Sequence, residues 1–261
     1  MAQIEMVNTY YDIIYLSPHL DDAVLSCGGQ IFQATAVQRQ SVLIVTIMAG
    51  DPVETAVSEF AQGQHQSWDL LHEATAQRRA EDMAACRLIG ADHAHWQVPD
   101  CIYRHHPQTG ITFYNSDPDI FGAVHPAEYP LVDDLAAQLT HLPPHGRILA
   151  PLTIGNHVDH QLTRLAAEKA FGSRLVYYEE YPYAQRLGGV DSVIAPDDPQ
   201  WQAEVMPLSP EALQMKIKAI AAYPSQMANL FNGRSHMIQL VTDYTQTIGG
   251  ERIWYGNYEI T

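Results

Sequence analysis

Apolar residues follow two rhythms along the chain. Short β-branched and aromatic runs at 13–16, 41–48, 94–98, 147–150 and 174–178 predict strands. The run at 41–48 is nearly continuous, which predicts a strand buried on both faces. Between the runs, helical spacing predicts helices over 22–38, 68–89, 129–141 and 158–171. A further helix is predicted over 210–223, opening on Pro210. Strand–helix alternation of this kind gives right-handed βαβ units, hence an α/β fold with a mostly parallel sheet covered by helices. Two Pro-rich stretches, 100–128 and 181–210, break the rhythm and predict long loops bordering a site. No repeat, low-complexity tract or linker interrupts the chain, so one domain over 1–261, with loop insertions at those two places, is the simpler reading.

Composition narrows the function. With 14 Lys and Arg against 30 Asp and Glu, the formal charge of the 261 residues is −16. That acidity argues against nucleic acid and anionic membrane surfaces as partners, because phosphate binding needs basic patches. No run of about 18 apolar residues predicts a membrane span. The segment 1–12 lacks the basic start of a secretory signal. Cys27, Cys86 and Cys101 are odd in number and lack CxxC spacing, so they read as reduced thiols of a cytoplasmic protein. The 13 His nearly equal all Lys and Arg together.

Two segments could carry chemistry. Ser17-Pro18-His19-Leu20-Asp21-Asp22 leaves a predicted strand and opens a helix, the place where parallel sheets bind ligands. His19 and Asp22 are three apart and can converge on one metal ion, with Asp21 beside them; equally, Asp21 or Asp22 can be a helix cap. Asn156-His157-Val158-Asp159-His160 also follows a strand, and His157 and His160 can share a helix face, or be chance histidines on a solvated helix start. Together the two deliver imidazoles and carboxylates to one sheet edge, a donor mixture that suits zinc with one place open. The stripe Leu71, Ala74, Arg78, Glu81, Ala85, Leu88 predicts an inward helix face. Its Arg78 either pairs with Glu81 or reaches a pocket. Cys27-Gly28-Gly29 reads as small residues that let a helix approach the sheet, since a dinucleotide loop has different spacing.

These motifs resemble the two signatures of the PIG-L / LmbE-like family of zinc-dependent N-deacetylases, in the family's order and about 140 residues apart. Arg78-x-x-Glu81 with Leu88-Ile89-Gly90, then Val98-Pro99-Asp100, and Lys218 through Tyr223-Pro224-Ser225-Gln226 are similar to further family segments, so the likeness spans roughly 12–230. Two positions depart from the family pattern: Leu20 replaces a Pro and Ala23 replaces a Glu. The resemblance implies a single Rossmann-like domain with helices on both faces of the sheet. It implies His19, Asp22 and His160 as zinc ligands, another divalent ion such as Fe2+ being acceptable to the same donors. It implies Asp21 as general base, His157 as electrophile or acid, Asp159 orienting His157, and Arg78 and Asp100 as substrate contacts. The expected function is removal of an N-acetyl or other N-acyl group from a small-molecule amino sugar or glycoconjugate. Alternatives are an amidase on a thiol conjugate or other small N-acyl amine, and a non-catalytic metal-dependent binding protein. A homo-oligomer is left open.

Overall fold

The computed structural model describes residues 10–52, 57–67, 74–186 and 188–257. In chain order these form β1 (Tyr11–Ser17), α1 (Asp22–Phe32), β2 (Val42–Thr46), α2 (Glu59–Ser67), α3 (Ala74–Ile89), β3 (Asp92–His95), α4 (Asp117–Ile120), α5 (Tyr129–Leu139), β4 (His145–Pro151), α6 (Val158–Phe171), β5 (Leu175–Tyr178), β6 (Trp201–Met206), α7 (Pro210–Ile220), α8 (Pro224–Phe231), α9 (Arg234–Ile248) and β7 (Glu251–Gly256). The strands make one sheet in the order β3-β2-β1-β4-β5-β7-β6. The first five are parallel; β7 runs antiparallel to β5, and β6 antiparallel to β7.

Side-chain alternation builds the layers. Along β1, Ile14 and Leu16 face one core with Leu43, Val45, Ile148 and Tyr177, under α5 and α6. Ile13 and Tyr15 face the other with Ile44, Leu149 and Tyr178, under α1, α3 and α7. Residues i and i+2 of a strand share a face, so one apolar run feeds both layers, as the expected two-sided sheet requires. Each fully buried aliphatic side chain contributes about 1.5–3 kcal/mol. Among the described residues no helix is long and apolar enough to cross a membrane.

All five expected strands and the expected helices are present, with shifted ends. Positions 68–73 of the expected helix, including Leu71, lie outside the described residues. The inward face of α3 differs from the expected stripe: Leu88 is 42% exposed, while Cys86 and Ile89 are buried. The helix is rotated by about one residue, so that Asp82 and Cys86 also turn in. The expected loop 181–210 holds the edge strand β6, and the chain beyond 223 forms α8, α9 and β7. Gly28 admits a helix and Gly29 the start of β7 with the segment before α7: a Cβ on Gly28 would lie 3.6 Å from Lys216 of α7, and one on Gly29 would collide with Leu208 and lie 3.1 Å from Glu251 of β7. Lys216 and Glu251 form a buried ion pair at 2.7 Å, and Glu251 also accepts from Gly29 N and Gln30 N, pinning α1 to the late chain. Lys218, the lysine singled out from sequence, is exposed; Lys216 is the buried one.

The order of strands places a topological switch between β1 and β4, where open α/β sheets bind ligands. Beyond β2 the chain continues beside 97–99: Gly50 N donates to Val98 O at 2.9 Å, and Gly50 bridges Pro99. This pairing carries Asp100 to the switch point. A Cβ on Gly50 would lie 2.5 Å from the carbonyl carbon and oxygen of Gln97, which are backbone atoms with little freedom to move. Gly50→Ala is therefore expected to lower stability by about 1–3 kcal/mol. A thermal or urea melt unchanged from the parent would refute this account of the close approach.

Candidate active site

At the end of β1, Ser17 rather than an aspartate satisfies the start of α1. Its Oγ accepts from Ala23 N at 3.0 Å and donates to His19 O at 2.7 Å. Asp21 makes no side-chain cap bond, so the capping alternative does not hold for it. Asp22 folds back, its Oδ2 accepting from His19 N at 2.8 Å. The same oxygen is 3.2 Å from His19 Nδ1 and 3.3 Å from His160 Nε2. At the end of β4, His157 is the N-cap of α6: its Nδ1 accepts from Asp159 N at 3.2 Å. One nitrogen each of His19, His157 and His160 lies within 4.8 Å of the others.

Six of the eight residues singled out from sequence line one open cavity of about 390 Å³: His19, Asp21, Asp22, Arg78, Asp100 and His157. His160 and Asp159 are buried behind it. Arg78 reaches the site, its Nη2 3.7 Å from Asp21 Oδ1. Glu81 is engaged elsewhere, accepting from Ser225 Oγ at 2.5 Å. Asp100 caps the turn at Cys101–Tyr103 and lies 3.7 Å from His19 Nε2. Both expected loops reach the cavity, the first with Asp117, Ile120 and Phe121, the second with Tyr181, Pro182, Tyr183 and Arg186. Leu20 and Ala23, the two departures from the family pattern, are buried apolar residues that bring no donor atom to the cluster.

One expected pairing is different. Asp159 does not hold the ring of His157. Its Oδ2 is 3.0 Å from His19 Nε2 and accepts from Cys101 N at 2.9 Å, while Oδ1 accepts from Arg104 Nη1 at 2.6 Å. The helix start explains this: once His157 Nδ1 caps the Asp159 amide, the Asp159 side chain is turned across the sheet switch toward the β1 exit. Arg104 also grips Glu128 through Nε at 2.5 Å and Nη2 at 3.0 Å, and Tyr114 Oη donates to Glu128 at 2.7 Å. Nothing in the sequence pattern marks Arg104. Glu180, just past β5, carries no motif of its own, although it leaves a strand as the two motifs do; its Oε1 is 3.1 Å from His160 Nδ1.

The electrostatics follow from burial and charge. Burial raises the Asp21 carboxyl, and the charge of Asp22 adds to this, to a pKa of about 7. Burial opposes ionisation of Asp22, but His160 and His19 hold it well below the usual carboxylate range. Burial disfavours the cationic form of His19, yet Asp100, Asp159 and Asp22 raise it well above an ordinary imidazole. His160 behaves likewise, held at about 9 by Asp22 and Glu180 against burial. His157 goes the other way: burial, then His19, push it well below the ordinary value. The cluster thus carries a surplus of negative field at a point where imidazole nitrogens and a carboxylate oxygen converge. A divalent cation with nitrogen and oxygen ligands fits that donor set and that field.

The surroundings of this cluster have known counterparts. A family profile described as PIG-L: GlcNAc-PI de-N-acetylase matches residues 14–171. A 2'-N-acetylparomamine deacetylase of Niallia circulans is 28% identical over 198 residues, covering 66% of this chain and 68% of that protein. One of Streptomyces fradiae is 28% identical over 184 residues, 68% of this chain and 60% of that protein, so the chain spans less than two thirds of that relative. The crystal structure of the zinc inhibited form of teicoplanin deacetylase Orf2 is similar with a TM-score of 0.78 and 30% identity, covering 93% of this chain and 97% of that one.

Arg104 is the cation for two buried carboxylates. Arg104→Met should therefore destabilise the fold by about 3–5 kcal/mol in urea denaturation, because it leaves Asp159 and Glu128 uncompensated. A loss below about 1 kcal/mol would mean that water already screens this network.

Proposed function

The chain belongs to the PIG-L family, and from that membership we propose that it is a zinc-dependent N-deacetylase acting on an N-acetylated amino sugar, with His19, Asp22 and His160 holding the ion. The observation that carries this reading is the placement of Asp22 Oδ2, in the wall of an open cavity, 3.2 Å from Nδ1 of His19, which also lines that cavity, and 3.3 Å from Nε2 of the buried His160. Bound there, zinc supplies Lewis acidity, making water an effective nucleophile near neutral pH and polarising an amide carbonyl. Other divalent ions accept the same donors.

The remaining chemistry belongs to the chain. Asp21 faces the cavity, buried and making no helix-cap bond, so its carboxylate is placed to accept a proton there. Arg78, 3.7 Å away, favours its ionised form. His157 is the electrophile rather than an acid. It is held neutral, and its Nδ1 accepts a backbone N–H, so its own proton sits on Nε2. That N–H, whose neighbour within the protein is the Cys101 sulfur at 4.0 Å, would turn to the oxygen of the acyl group as negative charge develops, a role typically worth about 3 kcal/mol per donor. The water oxygen bonds to the acyl carbon, the carbon–nitrogen bond breaks, and the proton held on Asp21 passes to the departing amine. Acetate and free amine result. Asp159 acts on His19, and through Arg104 stays ionised.

Arg78, Asp100 and Asp117 offer polar contacts to sugar hydroxyls, and Phe121 and Tyr183 offer ring faces. A cavity of about 390 Å³ suits one sugar ring with the rest of a conjugate outside. The carboxyl of Asp21, buried and uncapped, weighs against a mere metal-dependent binder, which has no use for a base beside the ion. The three free, buried thiols support the cytoplasmic location expected from sequence.

Asp21→Asn should reduce kcat by about 100- to 10,000-fold while zinc content stays at the parental level. Undiminished turnover by a zinc-loaded variant would remove Asp21 from the base role. Acetate release from N-acetylglucosamine conjugates should stop on dialysis against a chelator and return with zinc. It should exceed release from amide conjugates of thiols; the opposite preference would favour the amidase reading.

A further inference from the structure

The chain leaves β5 through two adjacent glutamates that face opposite ways, as strand geometry dictates. Glu179 accepts from Arg252 Nε, from Trp254 Nε1 at 2.7 Å and from Tyr244 Oη at 3.0 Å, tying β7 and α9 to the sheet. Glu180 turns toward β4 and has no exposed surface. Its Oε1 accepts from Thr153 N at 2.7 Å and its Oε2 from Ile154 N at 3.2 Å. Oε1 is also 3.1 Å from His160 Nδ1. Thr153 and Asn156 hold φ of 70° and 62°, in the left-handed region where a non-glycine residue costs about 1–3 kcal/mol unless its surroundings fix it. One carboxylate therefore both clamps the strained turn between β4 and α6 and contacts a histidine on the helix beyond.

The contact has a chemical consequence. When Nδ1 of an imidazole donates to a carboxylate, the neutral ring has no proton on Nε2. In His160, Nε2 is the nitrogen that faces Asp22, at 3.3 Å. A backing carboxylate also aligns the ring and raises its basicity as a ligand. We propose, resting on the assignment of His160 as a metal ligand above, that Glu180 is a positioning residue: through His160 it fixes the tautomer and ring orientation that face the ion, and so sets the affinity of the site. The strand exit of β5 thus contributes to the site together with those of β1 and β4, with no atom of Glu180 on the metal.

The test is a double-mutant cycle on zinc affinity, measured by competition with a chromophoric chelator, with circular dichroism of the metal-free proteins as the check on folding. Glu180→Gln keeps an oxygen for the Thr153 or Ile154 amide but loses the charge that backs His160. It should weaken zinc binding by about 10- to 100-fold. In a His160→Ala background the same substitution should change affinity by no more than about twofold, because the residue it acts through is gone. Additive losses would assign Glu180 to the turn alone and overturn the proposal, as would unchanged affinity in the single variant. If Glu180→Gln does not fold, Glu180→Asp, which retains a shorter carboxylate, takes its place in the cycle under the same criteria. Parental zinc affinity in His160→Ala alone would overturn the ligand assignment first and this inference with it.

Discussion

Buried carboxylates need matching positive charge or hydrogen-bond donors, and that requirement shapes the whole functional end of the sheet. Asp21, Asp22, Asp159 and Glu180 are all buried within the reach of a few side chains. Arg104 neutralises Asp159, and backbone amides serve Glu180. Asp22 is left between two imidazoles. The resulting field raises His19 and His160 above ordinary imidazoles. A centre that gathers this much negative charge around His19 and His160 suits a divalent cation.

The scaffold makes that concentration of charge affordable by fixing each member separately. β1 and β4 are neighbours at the switch in strand order, so two motifs about 140 residues apart in sequence leave adjacent strands side by side. The run from Gly50 beside 97–99 brings in Asp100 and the turn that carries Arg104. On the opposite layer, the buried Lys216–Glu251 pair and the amides of Gly29 and Gln30 hold α1 at a fixed depth. Because α1 begins at Asp22, that anchoring also fixes the first motif.

Two histidines of one short motif end with opposite electrostatic characters. His160 is backed by a carboxylate on one side and faces another, which suits a ligand. His157 receives a backbone N–H at Nδ1 and is driven neutral by burial and by His19, which suits a donor to a developing oxyanion. Residue type alone does not separate these roles. The difference arises because one ring is at the cap of α6 and the other is one turn inside it.

Local pattern determined a good deal. The β-branched runs specified β1 to β5, helical spacing specified α1, α3, α5, α6 and α7, and strand-exit positions marked four residues that line the cavity, His19, Asp21, Asp22 and His157, together with the buried Asp159 and His160. These features are legible because they depend on neighbours within a few residues. The sequence could not show that β6 and β7 close the sheet, since both are short, half-exposed and paired with each other only after α7 to α9 have turned the chain back. It could not show that Asp159 serves His19, that Arg104 stands between Asp159 and Glu128, or that Glu180 backs His160. Those pairings join residues that lie 20 or more positions apart, and charge balance in a buried site is decided by which side chains the packed layers bring within about 3 Å of one another.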